Sequence, residues 1–223
     1  MLLPLAGIRN RYIHMTADRI DLTLGLVGDD HVLSLFNIQD DATLKLKFQS
    51  IAPDEWVDAI SFKVKNYGMV GDCAFDLLNK LDGKFLEQLS SLDYAILCIG
   101  TNDILLHTPL PDIVNQIKEI LKNLSDIGTT PVFCTIIPIS KPEFKDVVVD
   151  ANSILTIHCA KQDIKVVDLN LIFNDGEDGL DPYFDIGDGI HLSREGYMFL
   201  ADALLVRIQE IIIREYQEYF TQE

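Results

Sequence analysis

Two residues near the C-terminal end of the chain, Asp188 and His191, stand three positions apart in the stretch Asp-Gly-Ile-His. A histidine oriented by a carboxylate is a general base that can activate a hydroxyl group or a water molecule. The structural alternative is that the aspartate caps a helix, because a long helical pattern begins at Ser193. A base alone completes no reaction, so the catalytic interpretation depends on what other segments supply.

Three further polar segments follow apolar or alternating runs and could complete such a site. They are Gly28-Asp29-Asp30, the turn at residues 67–72 and Gly100-Thr101-Asn102-Asp103. Short apolar runs that stop at such turns are typical of strands buried in a parallel sheet. In these sheets ligands bind beyond the carboxyl ends of the strands. We therefore predict that the three segments converge with Asp188 and His191 on one cleft.

The apolar pattern of the whole chain predicts an α/β fold. Strands are predicted at residues 22–27, 59–66, 94–99, 132–137 and 164–169, and the alternating pattern of the second suits a sheet edge. Helices are predicted at residues 75–81, 111–127, 147–161 and 193–219. Strands that alternate with helices indicate a parallel sheet with helices on both faces.

Length and charge limit the domain organisation and the partners. The 223 residues suffice for one α/β domain without a linker-like segment, so we predict a single domain over residues 1–223, with residues 1–20 as an N-terminal extension and residues 193–219 as a closing helix. The formal net charge of −17 argues against nucleic acid or an anionic membrane surface as a partner. It does not restrict small neutral ligands.

The sequence also favours a cytoplasmic location. The apolar start lacks a basic segment and contains Pro4, which disfavours a signal peptide. No apolar run approaches the roughly 20 residues needed to span a bilayer. The four cysteines are widely spaced, and Cys98 and Cys134 fall inside predicted strands, so we expect reduced and mostly buried thiols.

Together the polar segments resemble the sequence blocks of the SGNH/GDSL hydrolase family, in the family's order and over residues 22 to 205. Asp29 and its neighbours match the first block, and the other three blocks match residues 66–72, 100–103 and 188–192. The resemblance implies a flavodoxin-like three-layer α/β/α sandwich with a five-stranded parallel sheet. It also implies hydrolysis of esters or thioesters, often of small acyl groups on lipids or sugars, without a cofactor or a metal.

The resemblance assigns a role to each site residue. His191 would be the general base and Asp188 its orienting partner, while the backbone N–H of Gly71 and the side-chain amide of Asn102 would donate to the oxyanion of a tetrahedral intermediate. Donors fixed in advance at such a position commonly contribute roughly 3 kcal/mol each to lowering the barrier.

The chain departs from the family at the nucleophile, because Asp30 stands where the family has serine in Gly-Asp-Ser. In a first hypothesis the Asp30 carboxylate takes the place of the oxyanion, pairs with His191 and accepts hydrogen bonds from Gly71 and Asn102, so that catalysis is lost. In a second, Asp30 attacks an alkyl carbon and His191 then activates water to cleave the enzyme ester. In a third, His191 activates water directly on a bound ester.

These hypotheses leave three classes of function open. The first is a weakly active or inactive relative of ester hydrolases that binds an acyl, glycan or lipid-derived ligand, and the second is a working hydrolase. The third is an interaction scaffold, which a closed cleft and an exposed apolar stripe on the closing helix would favour. That stripe would consist of Leu204, Leu205, Ile208, Ile211 and Ile212.

Other polar residues receive structural interpretations. His31 follows Asp30 and is assigned to packing or the loop, whereas His107 could line the pocket or face solvent. The acidic loop at residues 173–187 does not have the spacing of a helix-loop-helix calcium site. A metal held by Asp29, Asp30 and Asp103 is a minor alternative, since the family needs none.

Overall fold

The computed structural model describes residues 20–35 and 60–220. Within these ranges five parallel strands form one sheet in the order β2-β1-β3-β4-β5. The strands are β1 (Ile20–Gly28), β2 (Ile60–Gly68), β3 (Tyr94–Cys98), β4 (Thr130–Cys134) and β5 (Lys165–Val167). The order confirms the predicted flavodoxin-like sheet, and β2 is the edge strand that its alternating sequence indicates.

Helices cover both faces of this sheet. They are α1 (Asp30–Leu33), α2 (Ala74–Lys80), α3 (Gly83–Leu89), α4 (Thr101–Leu105), α5 (Leu110–Asp126), α6 (Pro142–Lys161), α7 (Leu169–Phe173) and α8 (Arg194–Phe220). Successive side chains of a strand point to opposite faces, and β3 shows this directly. Tyr94, Ile96 and Cys98 pack with α8 in one apolar cluster, whereas Ala95 and Leu97 pack with α5 and α6 in the other. The three-layer α/β/α sandwich is therefore confirmed.

The register of the strands brings their carboxyl ends to the same level. Gly28 pairs with Gly68 on one side and with Cys98 on the other. The segments that follow β1, β2 and β3 therefore leave the sheet at one edge. This is the physical basis for the predicted convergence of the polar segments.

Several predicted boundaries were wrong. β4 ends at Cys134 and β5 at Val167, so the strand predictions to residues 137 and 169 ran too far. α6 begins at Pro142, five residues before the predicted start, because the fixed φ of proline suits the first turn of a helix. The sequence predictions also missed the short helices α3, α4 and α7. Asp168 caps α7, because its side chain accepts a hydrogen bond from the N–H of Leu171.

The closing helix was predicted within one residue at each end. Ser193 caps it, since its Oγ accepts a hydrogen bond from the N–H of Gly196 at 3.1 Å. The apolar stripe expected of a scaffold is not exposed, because it packs into the core: Leu204, Leu205, Ile208 and Ile212 are buried, and Ile211 is partly buried. The condition set for the scaffold hypothesis is therefore not met by this face.

Two further expectations concern the thiols and the termini. Cys73, Cys98, Cys134 and Cys159 are all free and buried. In the part of the chain that the structure describes, no helix is long and apolar enough to cross a membrane. The N-terminal extension predicted at residues 1–20 lies outside the described ranges, except for Ile20, where β1 begins.

Candidate active site

The segment after β1 is fixed by close contact with β3. A Cβ added at Gly28 would lie 1.7 Å from the carbonyl oxygen of Cys98, so only glycine fits this approach. The N–H of Asp29 donates to the same carbonyl at 3.3 Å, and the Asp29 side chain accepts from the N–H of His31 at 3.0 Å. Asp29 thereby caps the short helix α1, whose first residue is Asp30.

Two donors from different loops converge on the carboxylate of Asp30. The backbone N–H of Gly71 donates to its Oδ2 at 2.9 Å, and the side-chain Nδ2 of Asn102 donates to the same oxygen at 3.0 Å. Gly71 has a φ of +72°, which favours glycine at this position. Asn102 also donates to the carbonyl of Asp72 at 3.1 Å, which fixes the orientation of its amide.

The hydrogen bonds favour the ionised form of Asp30. Burial acts to raise the pKa of this carboxyl, but the lowering effects, led by the hydrogen bonds from Asn102 and Gly71, outweigh it, so the pKa lies below its usual value. Asp30 is therefore ionised at neutral pH. The two donors bind one oxygen of a carboxylate that carries a full negative charge.

Asp188 and His191 form the pair that the sequence suggested. Nδ1 of His191 lies 2.6 Å from Oδ2 of Asp188, while Oδ1 of Asp188 accepts from the N–H groups of Ile190 at 2.9 Å and of His191 at 2.8 Å. Burial acts to raise the pKa of Asp188, but these hydrogen bonds lower it overall. Since Nδ1 faces the carboxylate, Nε2 is the ring atom left for a substrate or a water, and 46% of the His191 side chain is exposed.

The pairing of Asp30 with His191 that the first hypothesis included is not found among the hydrogen bonds and ion pairs of the described residues. The other two contacts of that hypothesis, from Gly71 and Asn102, are present. The segments that carry Asp30, Gly71 and Asn102 thus meet at one edge of the sheet, and the ring of His191 reaches the same segment through its neighbour His31. Their catalytic roles stay predictions.

His31 and Tyr197 form a layer next to His191 that the sequence did not reveal. The His31 and His191 ring centroids are 6.3 Å apart, and Nδ1 of His31 lies 3.3 Å from the hydroxyl of Tyr197 on α8. Burial, with the nearby His191, lowers the pKa of His31 to about 4. His31 is therefore neutral at physiological pH and acts as packing, as its sequence interpretation proposed. No sequence motif marks Tyr197.

Two carboxyl groups adjacent in sequence to site residues are buried. Asp29 is 1% exposed, and its burial raises its pKa to about 7. Asp103 is fully buried, accepts from the N–H of Ala74 at 2.9 Å and also has a raised pKa because of burial. Within residues 20–35 and 60–220 no group of three or more His, Cys, Asp or Glu side chains could hold a metal ion.

The acidic loop is stabilised by its own carboxylates. Asp175 accepts from the N–H groups of Glu177 and Gly179, and Asp185 accepts from those of Gly187 and Gly189. These contacts give the acidic residues a local structural role. Elsewhere, the exposed His107 packs its ring 5.2 Å from that of Phe144.

Apolar side chains are exposed close to the site along the chain. Val70 precedes Gly71 and is 73% exposed, and Leu106 lies four residues after Asn102 and is 69% exposed. Ile186, whose N–H donates to the carbonyl of His191, is 61% exposed. Each of three site segments therefore carries an exposed apolar residue.

Comparison with protein families identifies the family of the chain. The model of the GDSL-like lipase/acylhydrolase family matches residues 45–199, more than half of the chain. The chain belongs to this family. The match begins after Asp30, so the place of Asp30 rests on the geometry described above.

Solved structures with this fold include esterases and acylhydrolases. A lipase/acylhydrolase from Enterococcus faecalis is 18% identical with a TM-score of 0.67, over 85% of this chain and 96% of that one. An acetyl xylan esterase is 16% identical with a TM-score of 0.67, over 84% and 100%. A psychrotrophic esterase from a Pseudoalteromonas species is 16% identical with a TM-score of 0.65, over 86% and 99%. No curated protein matches the chain.

Proposed function

We propose that this member of the family is a carboxylic-ester hydrolase in architecture whose site has little or no esterase activity, because Asp30 occupies the position of the nucleophile. Gly71 and Asn102 are the oxyanion donors, His191 is the base and Asp188 orients it. The ligand is a small acyl ester, or a glycan-derived or lipid-derived molecule. The net charge of −17 supports a neutral ligand over a polyanion.

The observation that carries this proposal is the pair of hydrogen bonds to Oδ2 of Asp30, at 2.9 and 3.0 Å. In ester hydrolysis these donors must reach the oxygen of the substrate, on which negative charge develops. Here an ionised carboxylate of the protein already holds them. A substrate carbonyl would have to displace that charge before it could be polarised.

Asp30 is also poorly suited to attack an acyl carbon. The product would be a mixed anhydride, formed by a weakly basic carboxylate whose basicity the two hydrogen bonds reduce further. The exposure of His191 supports one alternative, in which this residue activates water on a bound ester. That route lacks free oxyanion donors, which is why we expect it to be slow.

Restoring a hydroxyl at position 30 tests the proposal. We would compare the hydrolysis of p-nitrophenyl acetate by the wild type, Asp30→Ser, Asp30→Asn and the double variant Asp30→Ser/His191→Ala. We expect activity only in Asp30→Ser, and loss of about 10²- to 10⁴-fold when its general base is removed. Asp30→Asn is the matched control, because it removes the charge without supplying a nucleophile.

Two results would contradict the proposal. Hydrolysis by the wild type that depends on His191 would show that Asp30 does not block the site. If Asp30→Ser stays inactive although it folds, as judged by circular dichroism, the assigned donors and base do not form working machinery.

A further inference from the structure

The two oxygens of Asp30 have different environments. Both Gly71 and Asn102 donate to Oδ2, whereas within residues 20–35 and 60–220 no other residue donates to Oδ1. The carboxylate is also ionised and partly exposed. Among the described residues, one oxygen is therefore anchored by two donors, while the other is left as a nucleophilic atom.

We propose that Asp30 uses this free oxygen to attack a saturated carbon, which would give the protein a hydrolytic activity toward neutral primary alkyl halides or alkyl sulfonates. This activity goes beyond the proposed function, although it relies on the same donors and the same base. Attack at a saturated carbon develops no oxyanion. The occupied donors, which obstruct ester hydrolysis, therefore do not obstruct this first step.

In the first step Oδ1 of Asp30 forms a bond to the alkyl carbon, and the halide or sulfonate leaves with the electron pair of the broken bond. The product is an alkyl ester of Asp30. Its carbonyl oxygen is Oδ2, which stays in contact with the N–H of Gly71 and the amide of Asn102. The ester therefore forms with its carbonyl oxygen already in place between the two donors.

The second step hydrolyses this enzyme ester. His191 takes a proton from water through Nε2, and the hydroxide attacks the carboxyl carbon of Asp30 while negative charge develops on Oδ2. Collapse of this intermediate expels the alkoxide, which receives the proton from His191 and leaves as an alcohol. The carboxylate is regenerated with one oxygen from water, and the sum is alkyl halide plus water giving alcohol, halide and a proton.

The surroundings of the site suit an alkyl substrate. Val70, Leu106 and Ile186 are exposed apolar residues that belong to the segments carrying Gly71, Asn102 and His191. Asp188 holds His191 through Nδ1, so the base presents Nε2. A neutral alkyl group gains from apolar contacts and pays no electrostatic penalty near the acidic site.

Covalent trapping tests the inference. The variant His191→Ala is incubated with 1-bromobutane, digested and analysed by mass spectrometry. We expect one butyl group per chain on the peptide that contains Asp30, because the ester forms but is not hydrolysed. His191→Ala/Asp30→Asn should carry none there, whereas His191→Ala/Asp112→Asn, which changes an exposed carboxylate on α5, should still be labelled at Asp30.

A second measurement uses the unchanged protein. The wild type reacts with 1-bromobutane in water enriched in oxygen-18, and we expect the heavy isotope to enter the carboxylate of Asp30. Absence of both the butyl ester and the isotope overturns the inference, as does labelling of Asp30 no faster than of exposed carboxylates such as Asp112. Neither result affects the esterase assay with Asp30→Ser, so the two proposals fail separately.

Discussion

Replacing Asp29 with asparagine should change how the stability of the protein depends on pH. The Asp29 side chain is 1% exposed and accepts a hydrogen bond from the N–H of His31. Asparagine has nearly the same shape, and its Oδ1 can accept the same bond. The substitution therefore removes the buried ionisable group and keeps the cap of α1.

The size of the effect follows from the pKa of Asp29, which burial raises from 3.8 to about 7. An acid with a raised pKa in the folded state is protonated there while it is ionised in the unfolded chain. The contribution of Asp29 to stability is therefore fully present below pH 3.8 and is lost as the pH rises to about 7. The full difference corresponds to about 4 kcal/mol.

His31 has the opposite dependence. Its pKa is lowered from 6.5 to about 4, so its contribution to stability is present above pH 6.5 and is lost as the pH falls to about 4. In the wild type the opposite pH dependences of Asp29 and His31 largely cancel between about pH 4 and pH 6.5. In Asp29→Asn only that of His31 remains, so this variant should gain stability as the pH rises.

Urea unfolding of both proteins at about pH 4 and about pH 8 measures the difference. We expect the free energy of unfolding of Asp29→Asn, minus that of the wild type, to be about 4 kcal/mol larger at the higher pH, so that the variant is relatively more stable there. Asp112→Asn, which makes the same replacement at an exposed position, is the control. A relative stability of Asp29→Asn that is the same at both pH values would refute the reasoning.

Two further predictions concern the oxyanion donor and the turn after β1. In the Asp30→Ser background, Asn102→Ala should lower kcat for p-nitrophenyl acetate by about 10²- to 10³-fold, because it removes one of two donors; a loss confined to KM would contradict that role. Gly28→Ala should destabilise the protein by about 3 kcal/mol or more, since its Cβ would lie 1.7 Å from a carbonyl oxygen. Gly83→Ala is the matched control: its Cβ would meet open space, and at a φ of +41° it should cost about 1 kcal/mol. Equal midpoints of urea unfolding for the two glycine variants would be inconsistent with the contact at Gly28.

Some features of the structure could be predicted because they depend on local sequence. The apolar runs at β1 and β3 determine buried strands, and parallel strands place the segments after them at one edge. The cap at Ser193 and the pair Asp188–His191 lie within a few residues of their partners. Short-range hydrogen bonds of this kind follow directly from residue type and spacing.

The start of α6 at Pro142 was a local signal that the prediction overlooked, whereas the missed helices depend on residues distant in sequence. The short helices α3, α4 and α7 have five to seven residues, too few to be stable by propensity alone, and tertiary packing holds them. The apolar stripe of α8 could in sequence terms face either a partner or the core. Its burial depends on contact with the sheet, which the pattern of one helix does not specify.

The same division applies to the candidate site. The sequence by itself determined that an aspartate, a glycine N–H, an amide and an Asp–His pair would meet at one edge of the sheet. Only the tertiary structure decided that both donors bind the same oxygen of Asp30, that no hydrogen bond joins Asp30 to His191, and that His31 and Tyr197 lie beside the base. Rotation of a carboxylate and the packing of rings depend on atoms from several loops at once, and these positions are fixed only when the chain has folded.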